Sequence, residues 1–125
     1  MDLNQVTLQS NDVERSIRFY QSLGLSLIVD ASPNYVRFEC PDGNSTLSLH
    51  HSEEKISGSF ITVYFEVENL EEKVSELKDN GLNFDEDPEL KRWMWTEAHL
   101  SDPDGHKIIL FHAGENRKNP PWRIA

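Results

Sequence analysis

Side chains that can hydrogen-bond, titrate or stack on a ring recur at alternate positions in several short segments of the sequence. They are Gln5, Thr7, Ser48, His50, Thr62, Tyr64, Glu66, Trp95 and His99. Imidazoles titrate near neutral pH and could act as general bases, and a tryptophan can stack on an aromatic ring or hold a cation. Because successive side chains of a strand point to opposite faces, this spacing predicts that the group lines one polar sheet face. A ligand-binding face is therefore indicated, with an ordinary solvated sheet face as the alternative.

The segments that carry these side chains belong to a unit that occurs twice in the chain. One fixed offset of 57 residues relates three pairs of matching positions, namely Val6 and Val63, Asp12 and Asn69, and Gly24 and Gly81. In each copy an alternating strand leads into an amphipathic helix and then into three short strands. Asp12 and Asn69 are residue types that cap a helix N-terminus, and the two glycines can take the left-handed conformation that ends a helix. Each copy is therefore predicted to be a βαβββ module.

The later strands of each module are predicted from short segments rich in β-branched and aromatic residues. They are residues 25–31, 35–40 and 46–51 after the first helix, and 82–87, 93–100 and 106–112 after the second. We predict an α+β fold whose two βαβββ modules form a curled mixed sheet around a cavity. The modules span about residues 1–55 and 58–113 of a single domain, 1–125, that ends in a polar tail from 114 to 125. Trp122 and Ile124 favour docking of this tail on a partner subunit, although the tail could also cover the cavity or stay loose.

The charge balance of the chain limits the partners that it can have. There are 12 Lys and Arg residues against 22 Asp and Glu residues, which gives a formal net charge of -10. This excess argues against nucleic acid and anionic membranes, because phosphate groups need Lys and Arg to neutralise them, and it permits a cationic ligand. The single cysteine, Cys40, allows no internal disulfide. The sequence contains no signal-peptide pattern and no apolar run that could span a bilayer, so we expect a cytoplasmic protein.

Four motifs, taken together, resemble one known family. They are Asp12-Val13-Glu14-Arg15-Ser16, Phe19-Tyr20, Leu23-Gly24-Leu25, and Asp102-Pro103-Asp104-Gly105-His106-Lys107-Ile108-Ile109-Leu110. With the duplication, they resemble the vicinal oxygen chelate superfamily from about Leu3 to Phe111. That superfamily includes glyoxalase I, fosfomycin-resistance thiol transferases, extradiol dioxygenases and bleomycin-resistance proteins. The resemblance implies the paired βαβββ fold around a cavity and leaves the activity open, because one fold supports many functions.

The resemblance also implies four strand positions at which family enzymes hold a divalent metal. They correspond here to Gln5, Ser48, Thr62 and Ile109. The register of Ser48 is uncertain by one residue, and we place it on the inward face because Leu47 and Leu49 then reach the core. One amide, two hydroxyls and an aliphatic side chain lack the imidazole and carboxylate donors that Mn, Fe, Ni or Zn sites use.

We therefore expect no cofactor, and the alternative is a divalent metal on a shifted set formed by Gln5, His50 and Glu66. The resulting prediction is a glyoxalase/bleomycin-resistance-like homodimer that binds a small aromatic or cationic molecule in the cupped sheet. The nine residues named first are its predicted ligand contacts, and no catalytic residue is assigned. The alternative is a metal-dependent lyase, isomerase or thiol transferase of glyoxalase type, such as a glyoxalase I-like lyase.

Overall fold

The structure, a computed structural model, describes residues 1–124, which divide into two compact units. The first comprises Met1–Ser59 and Asp102–Gly105, and the second comprises Phe60–Ser101 and the segment that begins at His106. Each unit contains a four-stranded mixed sheet and one α-helix, and neither sheet closes into a barrel. The predicted α+β fold with two βαβββ modules is confirmed.

The first unit contains five elements in chain order. They are β1 Gln5–Ser10, α1 Val13–Leu23, β2 Ser26–Ala31, β3 Tyr35–Glu39 and β4 Thr46–His51. The strand order is β1-β4-β3-β2, in which β1 runs parallel to β4 and the other neighbours are antiparallel. Helix α1 packs on β2, β3 and β4. The fully buried apolar residues of the strands alternate along the sheet and are Leu8, Val36, Phe38, Leu47 and Leu49.

Both ends of α1 have the stabilising features that the sequence predicts. The Asp12 side chain accepts a hydrogen bond from the backbone N–H of Arg15 at 3.1 Å, which satisfies one of the free donors of the first turn. Gly24 ends the helix with a φ of 117°, and its N–H donates to the carbonyl oxygens of Tyr20 and Gln21. A side chain at that φ is strained, so glycine suits the position.

An acidic turn is buried against the same helix. The Tyr20 hydroxyl donates to Asp102 at 2.6 Å, and the Ser16 hydroxyl donates to Asp104 at 2.9 Å. The backbone N–H of Asn11 supplies a second donor to Asp104 at 2.8 Å. Burial, followed by the charge of Asp102, raises the pKa of Tyr20. This part of the Asp-Pro-Asp-Gly motif therefore helps to hold α1 in the first unit.

The second unit repeats the arrangement and adds a short C-terminal helix. Its elements are β5 Thr62–Glu66, α2 Leu70–Asp79, β6 Glu86–Leu90, β7 Thr96–Ser101, β8 Lys107–His112 and a 3-10 helix Gly114–Arg117. The strand order is β5-β8-β7-β6, with β5 parallel to β8. Helix α2 packs on β6, β7 and β8. The buried residues of the helix are Leu70, Val74 and Leu77, and those of the alternating strand positions include Ala98, Leu100, Ile108 and Leu110.

The caps of α2 differ from those of α1. Asn69 occupies the predicted N-cap position, but its side chain makes no capping hydrogen bond. Gly81 has a φ of 95° just beyond the helix end, as the sequence predicts. No helix within residues 1–124 is both long enough and apolar enough to cross a membrane.

Two strands of the second unit begin later than the sequence predicts. Strand β6 starts at Glu86, and a register shift between Glu86 and Glu89 accommodates Pro88 on this edge strand. Strand β7 starts at Thr96 because the preceding residues form a turn in which Lys91 and Trp95 are hydrogen-bonded. The strands predicted over 82–87 and 93–100 therefore begin too early in the chain.

Candidate functional site

The face of the first sheet that does not carry α1, here called the first open face, is lined by polar residues. Cross-strand pairing arranges them in three rows, namely Gln5–Thr46–Glu39, Thr7–Ser48–Arg37 and Gln9–His50–Tyr35. Residues alternate between the two faces of each strand, so Leu47 and Leu49 point to the helix side while Ser48 shares the face of Gln5. The structure thus resolves the register of Ser48 as predicted.

Gln5 joins three strand positions on the first open face. Its Nε2 donates to the Ser48 hydroxyl at 2.8 Å and lies 3.3 Å from the Thr7 hydroxyl. Its Oε1 accepts a hydrogen bond from the Thr46 hydroxyl. The amide of Gln5 is therefore committed to hydrogen bonds within the sheet. Three of the predicted contact residues, Gln5, Thr7 and Ser48, are brought together.

Tyr35 and Arg37 extend this network along β3. The Tyr35 hydroxyl lies 2.6 Å from the Ser48 hydroxyl, and the Arg37 Nε donates to the Tyr35 oxygen at 3.0 Å. The hydrogen bond with Ser48, assisted by the Arg37 hydrogen bond and charge, lowers the pKa of Tyr35. His50 lies opposite Tyr35 in the register but is exposed and joins none of these hydrogen bonds.

The corresponding face of the second sheet, here called the second open face, is more apolar. Two of its rows are Tyr64–Ile109–His99–Glu86 and Glu66–Phe111–Glu97–Glu89. Ile109 and Phe111 are buried and pack with Trp95. The Trp95 and Phe111 rings are stacked with centroids 4.6 Å apart, and Tyr64 contacts both rings edge-on. Trp95 and Tyr64 are thus brought into one aromatic cluster.

Glu97 lies beside this cluster and is only 2% exposed. Its carboxylate accepts a hydrogen bond from Trp93 Nε1 at 2.8 Å and lies 2.8 Å from His99 Nε2. The other imidazole nitrogen of His99 lies 3.1 Å from Glu86 but is not aligned for a hydrogen bond. Burial, with a smaller contribution from the charge of Glu97, raises the pKa of Tyr64. The second open face therefore combines accessible aromatic rings with a buried carboxyl group.

Glu86 is balanced by a lysine at the edge of the same face. Lys91 Nζ donates to Glu86 at 3.0 Å and lies 3.4 Å from Glu89. The hydrogen bond from Lys91 lowers the pKa of Glu86, and the charge of His99 adds to this effect. The same hydrogen bond with Glu86 raises the pKa of Lys91. Glu86 is therefore neutralised locally, whereas the oxygens of Glu97 are held by His99 and an indole.

Glu66 and Thr62, the other two predicted contacts, have different surroundings. The Glu66 carboxylate accepts hydrogen bonds from the backbone N–H groups of Ala113 and Gly114 at 2.8 and 3.0 Å, and Arg117 lies 3.6 Å away. Glu66 therefore anchors the start of the C-terminal segment. Thr62 is exposed at the start of β5, opposite Lys107 in the register.

The residues at the four family metal positions do not fit a divalent transition metal. Ser48 is fully buried and hydrogen-bonded to Gln5, while Ile109 is buried among aromatic rings. Ser48, Thr62 and Ile109 all lack the imidazole or carboxylate donor that such metals prefer. Residues 1–124 contain no group of three or more His, Cys, Asp or Glu side chains arranged to hold a metal ion.

Sequence reasoning left several interacting residues out of the predicted set. On the first open face they are Tyr35, Arg37 and Thr46, and on the second they are Trp93, Glu97 and Phe111. Alternation along segment 35–40 places Tyr35 and Arg37 opposite Val36 and Phe38, which could have marked them as open-face residues. The hydrogen bond between Trp93 and Glu97 depends on the turn before β7, which has no clear sequence signal.

Comparison with known proteins agrees with this fold. Residues 2–110 match the family model of the Glyoxalase/Bleomycin resistance protein/Dioxygenase superfamily. The chain therefore belongs to this superfamily, and the predicted resemblance is confirmed. The uncharacterized protein YraH of Bacillus subtilis (strain 168) is 26% identical in an alignment of 125 positions that covers 89% of this chain and 98% of that protein.

Solved structures show the same fold at low sequence identity. A glyoxalase/bleomycin resistance protein/dioxygenase from Nocardioides has a TM-score of 0.80 and 20% identity, covering 100% of this chain and 90% of that chain. A bleomycin resistance determinant encoded on the transposon Tn5 has a TM-score of 0.75 and 22% identity, covering 90% of this chain and 98% of that chain. A lactoylglutathione lyase from Agrobacterium tumefaciens has a TM-score of 0.76 and 13% identity, covering 94% of this chain and 96% of that chain.

Proposed function

We propose that this protein binds a small aromatic or cationic organic molecule on the second open face, without a metal. The single observation that carries the proposal is the buried carboxylate of Glu97 beside accessible aromatic rings. Tyr64 is 47% exposed and Trp93 is 41% exposed, whereas Glu97 is 2% exposed. The rings offer stacking surface, and the carboxylate favours positive charge near them.

The expected energies suit a ligand that carries a ring and a positive charge. A cation over an aromatic face gains about 0.5–2 kcal/mol, depending on how far it is desolvated. A unit charge about 5 Å from a carboxylate gains roughly 3 kcal/mol at an effective dielectric constant of about 20, before desolvation is subtracted. Glu86 is paired with Lys91 at 3.0 Å, whereas Glu97 contacts the His99 imidazole at 2.8 Å and the Trp93 indole, and we expect the positive charge of the ligand to lie near Glu97.

The metal-free part of the proposal rests on the donor types at the family positions. Gln5 and Ser48 hydrogen-bond to each other, and Glu66 is engaged by backbone N–H groups. To test it, the purified protein is incubated with Ni, Mn, Zn or Fe, desalted and measured for metal by mass spectrometry. We expect far less than one ion per chain, and stoichiometric retention would favour the metal-dependent alternative.

The proposal also includes a cytoplasmic homodimer. Support comes from large apolar side chains that are exposed in the second unit, namely Phe60, Trp122 and Ile124. Burial of such residues in a subunit interface would remove them from water. Sedimentation equilibrium is expected to give twice the chain mass, and a monomer at all concentrations would contradict this part.

Calorimetric titration tests the ligand class. Benzyltrimethylammonium is the cationic aromatic probe, and benzyl alcohol is the neutral aromatic comparison. We expect saturable binding of the cation that weakens about tenfold or more in Glu97→Gln. Glu71→Gln, an exposed position on α2, removes the same charge from the same unit and serves as the matched control. Equal binding by wild type and Glu97→Gln would contradict the proposal.

A further inference from the structure

Arg37 is a cation without a counter-ion on the first open face. It is half-buried on β3, and its Nε donates to the Tyr35 hydroxyl at 3.0 Å while its guanidinium carbon lies 5.6 Å from the Tyr35 ring centroid. No carboxylate of residues 1–124 forms an ion pair with it, although the whole chain has a formal net charge of -10. The two terminal nitrogens of Arg37 therefore keep their donors for another molecule.

The side chains of Gln5 and Arg37 each donate a hydrogen bond to one member of a pair of neighbouring hydroxyls, those of Ser48 and Tyr35. Gln5 Nε2 donates to the Ser48 oxygen at 2.8 Å, and Arg37 Nε donates to the Tyr35 oxygen at 3.0 Å. The two hydroxyl oxygens are 2.6 Å apart, so one of them donates to the other. A pair of hydroxyls has two hydrogens, and this contact uses one. One hydroxyl hydrogen therefore has no acceptor among Gln5, Tyr35, Arg37 and Ser48.

Burial decides which hydroxyl keeps that hydrogen. Ser48 is fully buried, whereas Tyr35 is partly exposed. A Ser48 hydrogen without an acceptor would cost free energy, because buried donors need partners. The favoured arrangement has Ser48 donating to Tyr35, so that the phenol oxygen accepts from both Ser48 and Arg37. The Tyr35 O–H then points to an external acceptor, and the two donated hydrogen bonds strengthen it as a donor.

We propose that the first open face binds a carboxylate through the Arg37 guanidinium and the Tyr35 hydroxyl. The two free nitrogens of a guanidinium match the two oxygens of a carboxylate, and the phenol supplies a further donor. A monoanionic carboxylate is favoured over a phosphate dianion because the negative charge of the whole chain opposes the second charge more strongly.

This proposal rests on residues other than those that carry the proposed function on the second open face. The site belongs to the first unit and takes a ligand group of the opposite charge. If the cation does not bind near Glu97, the carboxylate proposal still stands. If the carboxylate does not bind at Arg37, the proposed function still stands.

Nuclear magnetic resonance of the arginine Nε–Hε groups tests the proposal on the intact chain. The probes are sodium benzoate, the neutral analogue benzamide, and inorganic phosphate, each at constant ionic strength because salt screens exposed charges. We expect a saturable shift of the Arg37 resonance with benzoate and little change with benzamide. Saturable phosphate binding at Arg37 without benzoate binding would overturn the carboxylate assignment.

Variants separate the site from general attraction of anions. Arg37→Gln is expected to weaken benzoate binding about tenfold or more, and Arg37→Lys should weaken it less because the charge remains while the planar fork is lost. Tyr35→Phe tests the phenol and provides a second result if Arg37→Gln is unstable. Arg18→Gln, an exposed change of the same charge on α1, is the control and should bind like wild type. Unchanged affinity in both Arg37→Gln and Tyr35→Phe, or equal weakening in Arg18→Gln, would overturn the proposal.

Discussion

Replacement of Tyr20 by phenylalanine removes the hydrogen bond that links α1 to the acidic turn. The hydroxyl of Tyr20 is fully buried and donates to Asp102 at 2.6 Å, and Asp102 is itself only 4% exposed. A hydrogen bond to a charged group contributes about 1.5–3 kcal/mol, and removing one partner leaves the other to bear its desolvation cost. We therefore expect Tyr20→Phe to lower the free energy of unfolding by about 1.5–3 kcal/mol.

Urea unfolding followed by circular dichroism measures this loss. Tyr64→Phe is the matched control, because it deletes the same hydroxyl from a ring that is half exposed and that makes no hydrogen bond through its oxygen within residues 1–124. The control should change the free energy of unfolding by less than about 0.5 kcal/mol, as is usual for exposed positions. Equal losses in the two variants would refute the assignment of a stabilising role to the contact between Tyr20 and Asp102.

The pH dependence supplies a second readout of the same contact. Burial raises the pKa of Tyr20 above its ordinary value of about 10. Above that pH the unfolded tyrosine loses its proton while the folded one keeps it, so stability falls by about 1.4 kcal/mol per pH unit. The stabilisation from Tyr20 is thus complete below pH 10 and is lost above it. The difference between wild type and Tyr20→Phe should shrink above about pH 10, and a constant difference would contradict the burial of the hydroxyl.

Two further predictions concern stability. Asp12→Ala should lower the free energy of unfolding by about 1 kcal/mol, because the Asp12 carboxylate accepts a hydrogen bond from the backbone N–H of Arg15. Asn69→Ala should change it little, because the Asn69 side chain makes no capping hydrogen bond. Urea unfolding of both variants measures the difference. Equal costs would contradict the difference between the two caps. Phe111→Ala should cost about 3–5 kcal/mol because the ring is buried and stacked on Trp95, and it should alter the near-ultraviolet circular dichroism of the tryptophans. A loss below about 1 kcal/mol would contradict the packing of that cluster.

The sequence was sufficient to predict the βαβββ modules because local signals repeat in both halves. The cap at Asp12, the positive φ at Gly24 and the alternation around Ser48 follow from residue types and strand parity alone. The prediction of β6 was displaced because a proline normally argues against a strand interior, yet Pro88 is tolerated where the register shifts. Such a shift depends on the neighbouring strand and cannot be read from local sequence.

The site was predicted only in part, because side-chain contacts depend on cross-strand register and on turns. Parity correctly grouped Gln5 with Ser48, but the partner of Glu66 proved to be backbone N–H groups some 47 residues further along the chain. The turn before β7, where Met94 has a φ of 69°, brings the Trp93 indole to Glu97. Few non-glycine residues adopt such a conformation, so sequence patterns do not signal it.

The indole N–H resonances of the three tryptophans give the most direct test of ligand binding on the second open face. Trp93 hydrogen-bonds to Glu97, Trp95 stacks on Phe111, and Trp122 lies in the C-terminal tail as an internal comparison. During titration with benzyltrimethylammonium, we expect the Trp93 and Trp95 resonances to shift together and saturate, while the Trp122 resonance stays nearly constant. Unshifted Trp93 and Trp95 resonances at saturating probe, or a shift confined to Trp122, would contradict binding at this face.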